Sequence, residues 1–232
     1  MRTHDALYLN EDRYRDVKQA FTFTASYIVK DITDGMRICD FGCAAGEFPF
    51  YLKSILPNCE ISGMDIMPSL ISRARDKVPG VNFIVGDVND PATFEESGFD
   101  RGTMFGVHTI FDDPTVCIGN AISWVRPGGI LAVFGLFNPY AVDVFVRVRT
   151  PGQPADHREP GWNMISQATM TEYLDGHPKV KSHQYHKFEI GIDLPHQDDP
   201  LRSWTERMAD DSRQIVNGSG VVHHFYALVI QL

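Results

Sequence analysis

The stretch 38-ICDFGCAAGEF-48 decides the fold, because an apolar run ends in an acid and then in glycine-like positions spaced by two. Such a turn leads a strand into a helix and lets backbone approach a ligand closely. A dinucleotide loop, G-x-G-x-x-G, would need glycine at 42, 44 and 47, and this chain has Gly42, Ala44 and Glu47. Two of three positions fail, and Glu47 would set a negative charge near a pyrophosphate. A Walker loop fails as well, since no Gly-Lys-Ser/Thr follows.

Outward from this turn the chain alternates. "MRICDF" reads as a buried strand, "EFPFYLKSIL" as a helix with Pro49 in its first turn, "CEISGMD" as a second strand and "PSLISRARDKV" as a helix opened by Pro68. Strand "VNFIVGD", a short helical piece at "PATFEES", strand "FDRGTMFGVHT", a helix over about 113–125 and strand "ILAVFGLF" after the turn "RPGG" continue the order. Alternation of this kind builds a parallel sheet with helices on both faces, an α/β doubly wound domain. Two further strands are expected in "VKSHQYHKFEIGIDL" and "VVHHFYALVIQL", with a Ser166-capped helix, "SQATMTEYLDG", before them. Ahead of the sheet, Tyr14, Val17, Phe21, Thr24 and Ile28 recur at helical spacing and predict a helix over 11–30.

The 232 residues, 43% hydrophobic and 22% charged, suit one domain over 1–232 with a full core. No apolar run reaches the roughly 18 residues of a membrane span, and the first residues lack a signal peptide's apolar core, so no membrane partner and a cytoplasmic location are expected. A net charge of -9 without a Lys/Arg-rich run excludes nucleic acid as the expected partner. Cys39, Cys43, Cys59 and Cys117 fit neither a disulfide framework nor zinc spacing and read as buried free thiols. The histidine pairs 183/186 and 223/224 cannot each share a strand face, so no metal site is expected from them. A homodimer stays open.

Asp40, Gly42, Ala44 and Gly46 together resemble motif I of the class I S-adenosylmethionine (SAM) dependent methyltransferases, with alanine in place of the usual middle glycine. Asp65 at the end of "ISGMD" resembles that family's second-strand acid. "VGDVND" resembles its third-strand end, and "WVRPGGILAVF" its turn into strand five. The resemblance covers about residues 36–137. It implies a Rossmann-like, seven-stranded, mostly parallel sheet of order 3-2-1-4-5-7-6 that binds SAM and releases S-adenosylhomocysteine. Asp40, Gly42, Ala44 and Gly46 would hold the methionine part, which carries no phosphate, and Asp65 with Ile66 the ribose side. Asp87 would take the adenine amino group and the Val88 backbone a ring nitrogen. Each of these acids could instead cap a turn or a helix.

Methyl transfer from a sulfonium needs alignment of the acceptor, and a hydroxyl acceptor gains from a base. His108, at the end of strand four, is the candidate catalytic residue, with bonding to a backbone carbonyl as the bland alternative. Asp112 and Asp113 follow it. Residues 1–35 are expected to form a lid, and segments 138–178 and 195–220 the acceptor side. Among the arginines, histidines and tryptophans there, Arg147, Arg158, Trp204 and Arg207 are the candidate substrate-binding residues, for a small polar acceptor such as a saccharide or an anionic metabolite. Oxygen is the expected methylated atom. An N-methyltransferase or a SAM-binding subunit without catalysis are the alternatives.

Overall fold

The computed structural model describes residues 14–232. Five strands lead in parallel: β1 (Arg37–Phe41), β2 (Glu60–Asp65), β3 (Asn82–Val85), β4 (Phe99–Phe105) and β5 (Val125–Asn138). They alternate with α1 (Gln19–Ile28), α2 (Glu47–Ile55), α3 (Pro68–Lys77) and α4 (Thr115–Trp124). Short pieces follow: β6 (Arg147–Val148), β7 (Glu159–Pro160), β8 (Ile165–Ser166) and α5 (Gln167–Asp175). The chain closes with β9 (Ser182–Lys187), β10 (Trp204–Arg207), β11 (Arg213–Val216) and β12 (Phe225–Gln231). The main sheet runs β3-β2-β1-β4-β5-β12-β9, which is the expected 3-2-1-4-5-7-6 once the two last long strands are counted sixth and seventh. An eighth member, β8, pairs in parallel with the end of β5.

Both faces of the sheet are covered. On one, Phe21, Ala25 and Ile28 of α1 and Phe48 and Leu52 of α2 bury against Ile38, Ile61 and Ala132, while α3 adds Ile71 and Ala74 over Phe83. On the other, Cys117, Ile118 and Ile122 of α4 and Met170 and Leu174 of α5 pack on Phe41, Met104, Val133 and Phe137. Trp124 is fully buried among Phe41, Phe94 and Phe99, and its indole donates to the Pro91 carbonyl at 3.3 Å. All four cysteines are free and buried.

The N-terminal helix is shorter than expected among the described residues. It begins at Gln19, not near residue 11, and is a packed layer of the sheet. The buried guanidinium of Arg101 on β4 reaches its last turn, donating to the Ile28 carbonyl at 3.3 Å and the Lys30 carbonyl at 3.4 Å. A cation at a helix C-terminus satisfies carbonyls that have no helical partner and favours the dipole. Residues 1–13 lie outside the described residues.

Residues 106–109 leave the expected fourth strand and form a short 3₁₀ turn, Val107–Ile110. The expected long sixth strand stops at Lys187, and "RPGG" is absorbed into β5, where the pairing with β4 shifts register between Phe99 and Arg101. The segment 138–165 folds back on itself through β6 and β7, and 195–220 contains the β10–β11 hairpin. No strands are expected in either segment, because neither has an uninterrupted strand pattern.

Asn163 fastens the first segment to the sheet edge. It is fully buried; its Nδ2 donates to the Phe111 carbonyl and to Asp112 Oδ1, each at 3.0 Å, and its Oδ1 accepts from the Val146 amide at 3.0 Å. Its own amide donates to the Thr109 carbonyl at 2.8 Å. Asn163→Ala strands a buried amide and a carbonyl, so a loss of about 1–3 kcal/mol in denaturant unfolding is expected, with faster limited proteolysis across 146–162. Unchanged protease resistance would show that other contacts hold the segment.

Candidate functional site

The site begins where β1 ends. Gly42, Ala44 and Gly46 all have positive φ, at +85°, +47° and +82°. A side chain at Gly42 would start 2.2 Å from Val107 Cγ2, so the turn can lie close under the segment after β4 only with a bare backbone here. Ala44 occupies left-handed space with a Cβ, which costs roughly 1–2 kcal/mol. The amides of Gly42 and Cys43 both donate to the Met64 carbonyl, at 2.7 and 2.8 Å. Asp65 completes the tie: its carboxylate accepts the Ala44 amide and the Met67 amide, both at 2.9 Å.

Glu47 opens α2, where the helix dipole favours an acid, and it pairs with Lys18 at 3.4 Å. Tyr14 donates to the Ala45 carbonyl at 2.6 Å and sets its ring edge against Phe50, so the chain ahead of α1 touches the back of the turn. At the next strand ends stand Ile66, a large apolar side chain 62% exposed, half-buried Asp87, which accepts from the Asn89 amide at 2.9 Å, and buried Val88. Thus the structure brings Asp40, Gly42, Ala44, Gly46, Asp65, Ile66, Asp87 and Val88 to the carboxyl ends of three neighbouring strands.

Asp40 sits beneath the turn, 2% exposed, and accepts from the Thr103 hydroxyl at 2.7 Å. Burial pushes its carboxyl up to about 7, against the lowering effect of Thr103, and nearby Asp65 raises it further. The sequence did not flag Thr103, whose only signal was a hydroxyl inside an apolar strand.

His108 corrects an expectation. It follows β4 as anticipated, but its ring is fully buried, stacked 4.5 Å from Phe137, with Nε2 3.3 Å from the Leu136 carbonyl. A carbonyl only accepts, so Nε2 carries the proton and Nδ1 keeps a buried lone pair with no partner among the described residues. Burial holds the ring's pKa down at about 4. A neutral, enclosed imidazole bonded to backbone has a packing role and is not the acceptor-facing base expected.

The candidate acceptor residues are also spoken for. Arg147 Nη2 donates to both Asp112 oxygens at 2.6 Å, and Arg207 pairs with Asp193 at 2.6 Å, which Arg213 shares at 2.7 Å. Arg158 is exposed and donates to the Ala155 and His157 carbonyls of its own turn. The Trp204 indole donates to Glu206 at 2.7 Å and its ring lies 4.2 Å from His196. Asp113 accepts from the Thr115 amide at 2.9 Å at the start of α4, as a cap. Arg147, Arg207 and Arg213 are thus charge-matched within the protein, whereas Arg158 is held only by carbonyls of its own turn. His183 and His186 are likewise occupied, the first on Asp175 and the second stacked on Tyr27.

Asp40 makes stability depend on pH in a defined direction. Its folded pKa lies above its ordinary value of 3.8, so its favourable contribution is complete below about 4 and is lost as pH rises through about 7. Asp40→Asn should therefore raise the melting temperature relative to the parent increasingly from pH 5 to pH 8. A difference that is flat across that range would contradict the buried, protonated carboxyl.

Comparison with known proteins agrees with this geometry. A methyltransferase-domain family matches residues 32–136. Malonyl-[acyl-carrier protein] O-methyltransferase of Halalkalibacterium halodurans is 27% identical over 160 residues, 63% of this chain and 57% of that protein. Phosphoethanolamine N-methyltransferase 1 of Triticum aestivum is 24% identical over 219 residues, 85% of this chain and 40% of that protein. The chain thus spans about half the length of these curated relatives. Among solved structures, the methyltransferase complexed with the Haloferax volcanii Trm112 activator superposes with a TM-score of 0.66 at 16% identity, covering 100% of this chain and 98% of that one. The [4+2]-cyclase SpnF superposes with a TM-score of 0.54 at 18% identity, over 71% of this chain and 58% of that one. Together with the strand order, the glycine turn and the acids at successive strand ends, the match over residues 32–136 supports a class I SAM-dependent methyltransferase.

Proposed function

We propose that this protein transfers the SAM methyl group to an oxygen of a small, neutral, hydroxyl-bearing acceptor. The observation that carries the reading is the placing of Asp65 and Asp87 at successive strand ends beside the bare backbone of Gly42. When bound, SAM supplies an electrophilic methyl on a cationic sulfur. The chain's own residues bind and orient it. Asp65, whose two oxygens accept the Ala44 and Met67 amides, is the carboxylate held at the second strand end for the ribose side. Exposed Ile66 offers an apolar face to adenine, Asp87 an acceptor for its amino group, and the Val88 backbone a partner for a ring nitrogen. Asp40 and Gly42 to Gly46 cradle the methionine end, where an ammonium draws the Asp40 carboxyl toward its charged form.

A neutral acceptor follows from the pairing of Arg147 with Asp112 and of Arg207 and Arg213 with Asp193. Releasing one of those arginines to hold an anion would cost its existing partner. The relatives' names divide between oxygen and nitrogen, so the methylated atom rests on this reading alone. The enclosure of His108 favours one rival, a SAM-binding subunit without transfer. Fold likeness does not choose between them.

The residues ahead of α1 close the back of the cofactor turn through Tyr14 and Lys18. Cutting away residues 1–30 would also remove Phe21, Ala25 and Ile28 from the core, so Tyr14→Phe is the cleaner probe.

Calorimetry with SAM tests the assignment. Gly42→Val should abolish binding, Ala44→Gly should retain it, and Tyr14→Phe should weaken it severalfold at most. Tighter binding of NADH than of SAM to the parent protein would overturn the cofactor assignment.

A further inference from the structure

The main sheet ends in two edges that the chain treats differently. At one end β3 is short, with four residues, and its outer side is occupied. The Gly86 amide donates to the Asp65 carbonyl at 3.0 Å, so the backbone groups of residues 84 and 86 face β2 and those of Phe83 face away. Arg75 of α3 takes that outward Phe83 carbonyl, donating Nε at 3.2 Å and Nη2 at 2.7 Å.

At the other end β9 is longer and open. Its six residues pair with β12 in unbroken register. The Phe188 amide donates to the Phe225 carbonyl at 2.9 Å, so the backbone groups of Ser182, Gln184 and His186 face β12 and those of His183, Tyr185 and Lys187 face outward. These outward amides and carbonyls have no backbone partner among the described residues. The strand carries neither a proline nor a bulge, two devices that commonly blunt an edge.

We propose that two copies of this chain join through β9, antiparallel about a two-fold axis at Tyr185, so that one sheet runs through both. A two-fold pairs a strand with itself and makes each contact twice. In this register the two Tyr185 residues exchange amide and carbonyl, and His183 does the same with Lys187 of the other copy. The side chains select it. Tyr185 is held on its own sheet, its ring 5.4 Å from Phe137 and its hydroxyl donating to the Gln167 carbonyl at 3.4 Å, which leaves the axis flat. His183 bonds Asp175 Oδ1 at 2.9 Å, and that exposed carboxylate offers a negative group to Lys187 of the other copy. Lys187 pairs with exposed Glu189 at 2.8 Å, a surface contact worth little, so it can turn across the axis. An axis at Gln184 instead sets Lys187 opposite Lys181, and one at His186 sets Glu189 opposite the His183–Asp175 pair. Both oppose like charges, which disfavours pairing.

Sedimentation equilibrium on the full chain tests this. The parent should form a dimer. Lys187→Glu and Asp175→Lys should each weaken it by roughly tenfold, because the two-fold repeats every change, and the double variant should regain the parent's affinity. That rescue separates the interface from misfolding. Amide hydrogen exchange read by NMR should show His183, Tyr185 and Lys187 protected above the dissociation midpoint and exchanging freely below it. A parent that stays monomeric at every concentration overturns the proposal. So does a dimer that ignores Lys187→Glu, or one whose three outward amides exchange alike at both concentrations. A double variant no tighter than the single ones overturns the axis at Tyr185.

Discussion

One carbonyl, that of Met64, accepts two consecutive amides from the turn after β1. That double bond to the neighbouring strand end forces Gly42 into left-handed backbone, directs Ala44 toward the Asp65 carboxylate and sets the pitch at which α2 leaves the sheet. Everything at the cofactor edge inherits its position from it. A conventional turn would leave those amides facing solvent and Asp65 with no loop to hold. The same tie explains why a carboxyl can be buried directly below: Asp40 lies in a floor that the turn closes, with Thr103 the hydroxyl that answers it.

Glu47 and Ala44, the two residues that departed from nucleotide-loop patterns, have separate physical explanations. Glu47 gains from the start of α2 and from Lys18, both of which stabilise an acid without reference to a ligand. Ala44 is a strained position tolerated because its amide is claimed by Asp65. The first is an adaptation of the helix, the second a cost carried by the turn.

The central sheet was legible because its signals are local. Apolar runs ending in Asp40, Asp65 and Asp87 give strand, direction and edge in a few residues, and their order gives the topology. The segments after β5 were not legible, since their organisation depends on contacts across long stretches of chain. Nothing near residue 163 announces that Asn163 bonds to Phe111, and no spacing reveals that Arg147 belongs to Asp112 or that Arg207 and Arg213 share Asp193. Counting those arginines as available charge was the natural error. His108 failed for a related reason: sequence placed it after β4 but could not say that its ring turns inward onto Phe137. His223 and His224 were recognised as a pair on opposite faces, and only burial distinguishes them.

The pairing of β8 with the end of β5 has a meaning beyond the extra strand. Phe137 sits opposite Ile165 and Asn138 opposite Ser166, so the segment between them leaves and re-enters the sheet at adjacent points. Asp143 pins the closure, accepting from the Ser166 amide at 2.7 Å and the Thr169 hydroxyl at 3.0 Å. A stretch of chain with joined ends is a cassette: its length and contents can change while the strands on either side keep their register, at a closure cost that grows only slowly with length. Exchange of the 139–164 cassette would therefore leave the sheet and the turn after β1 as they are.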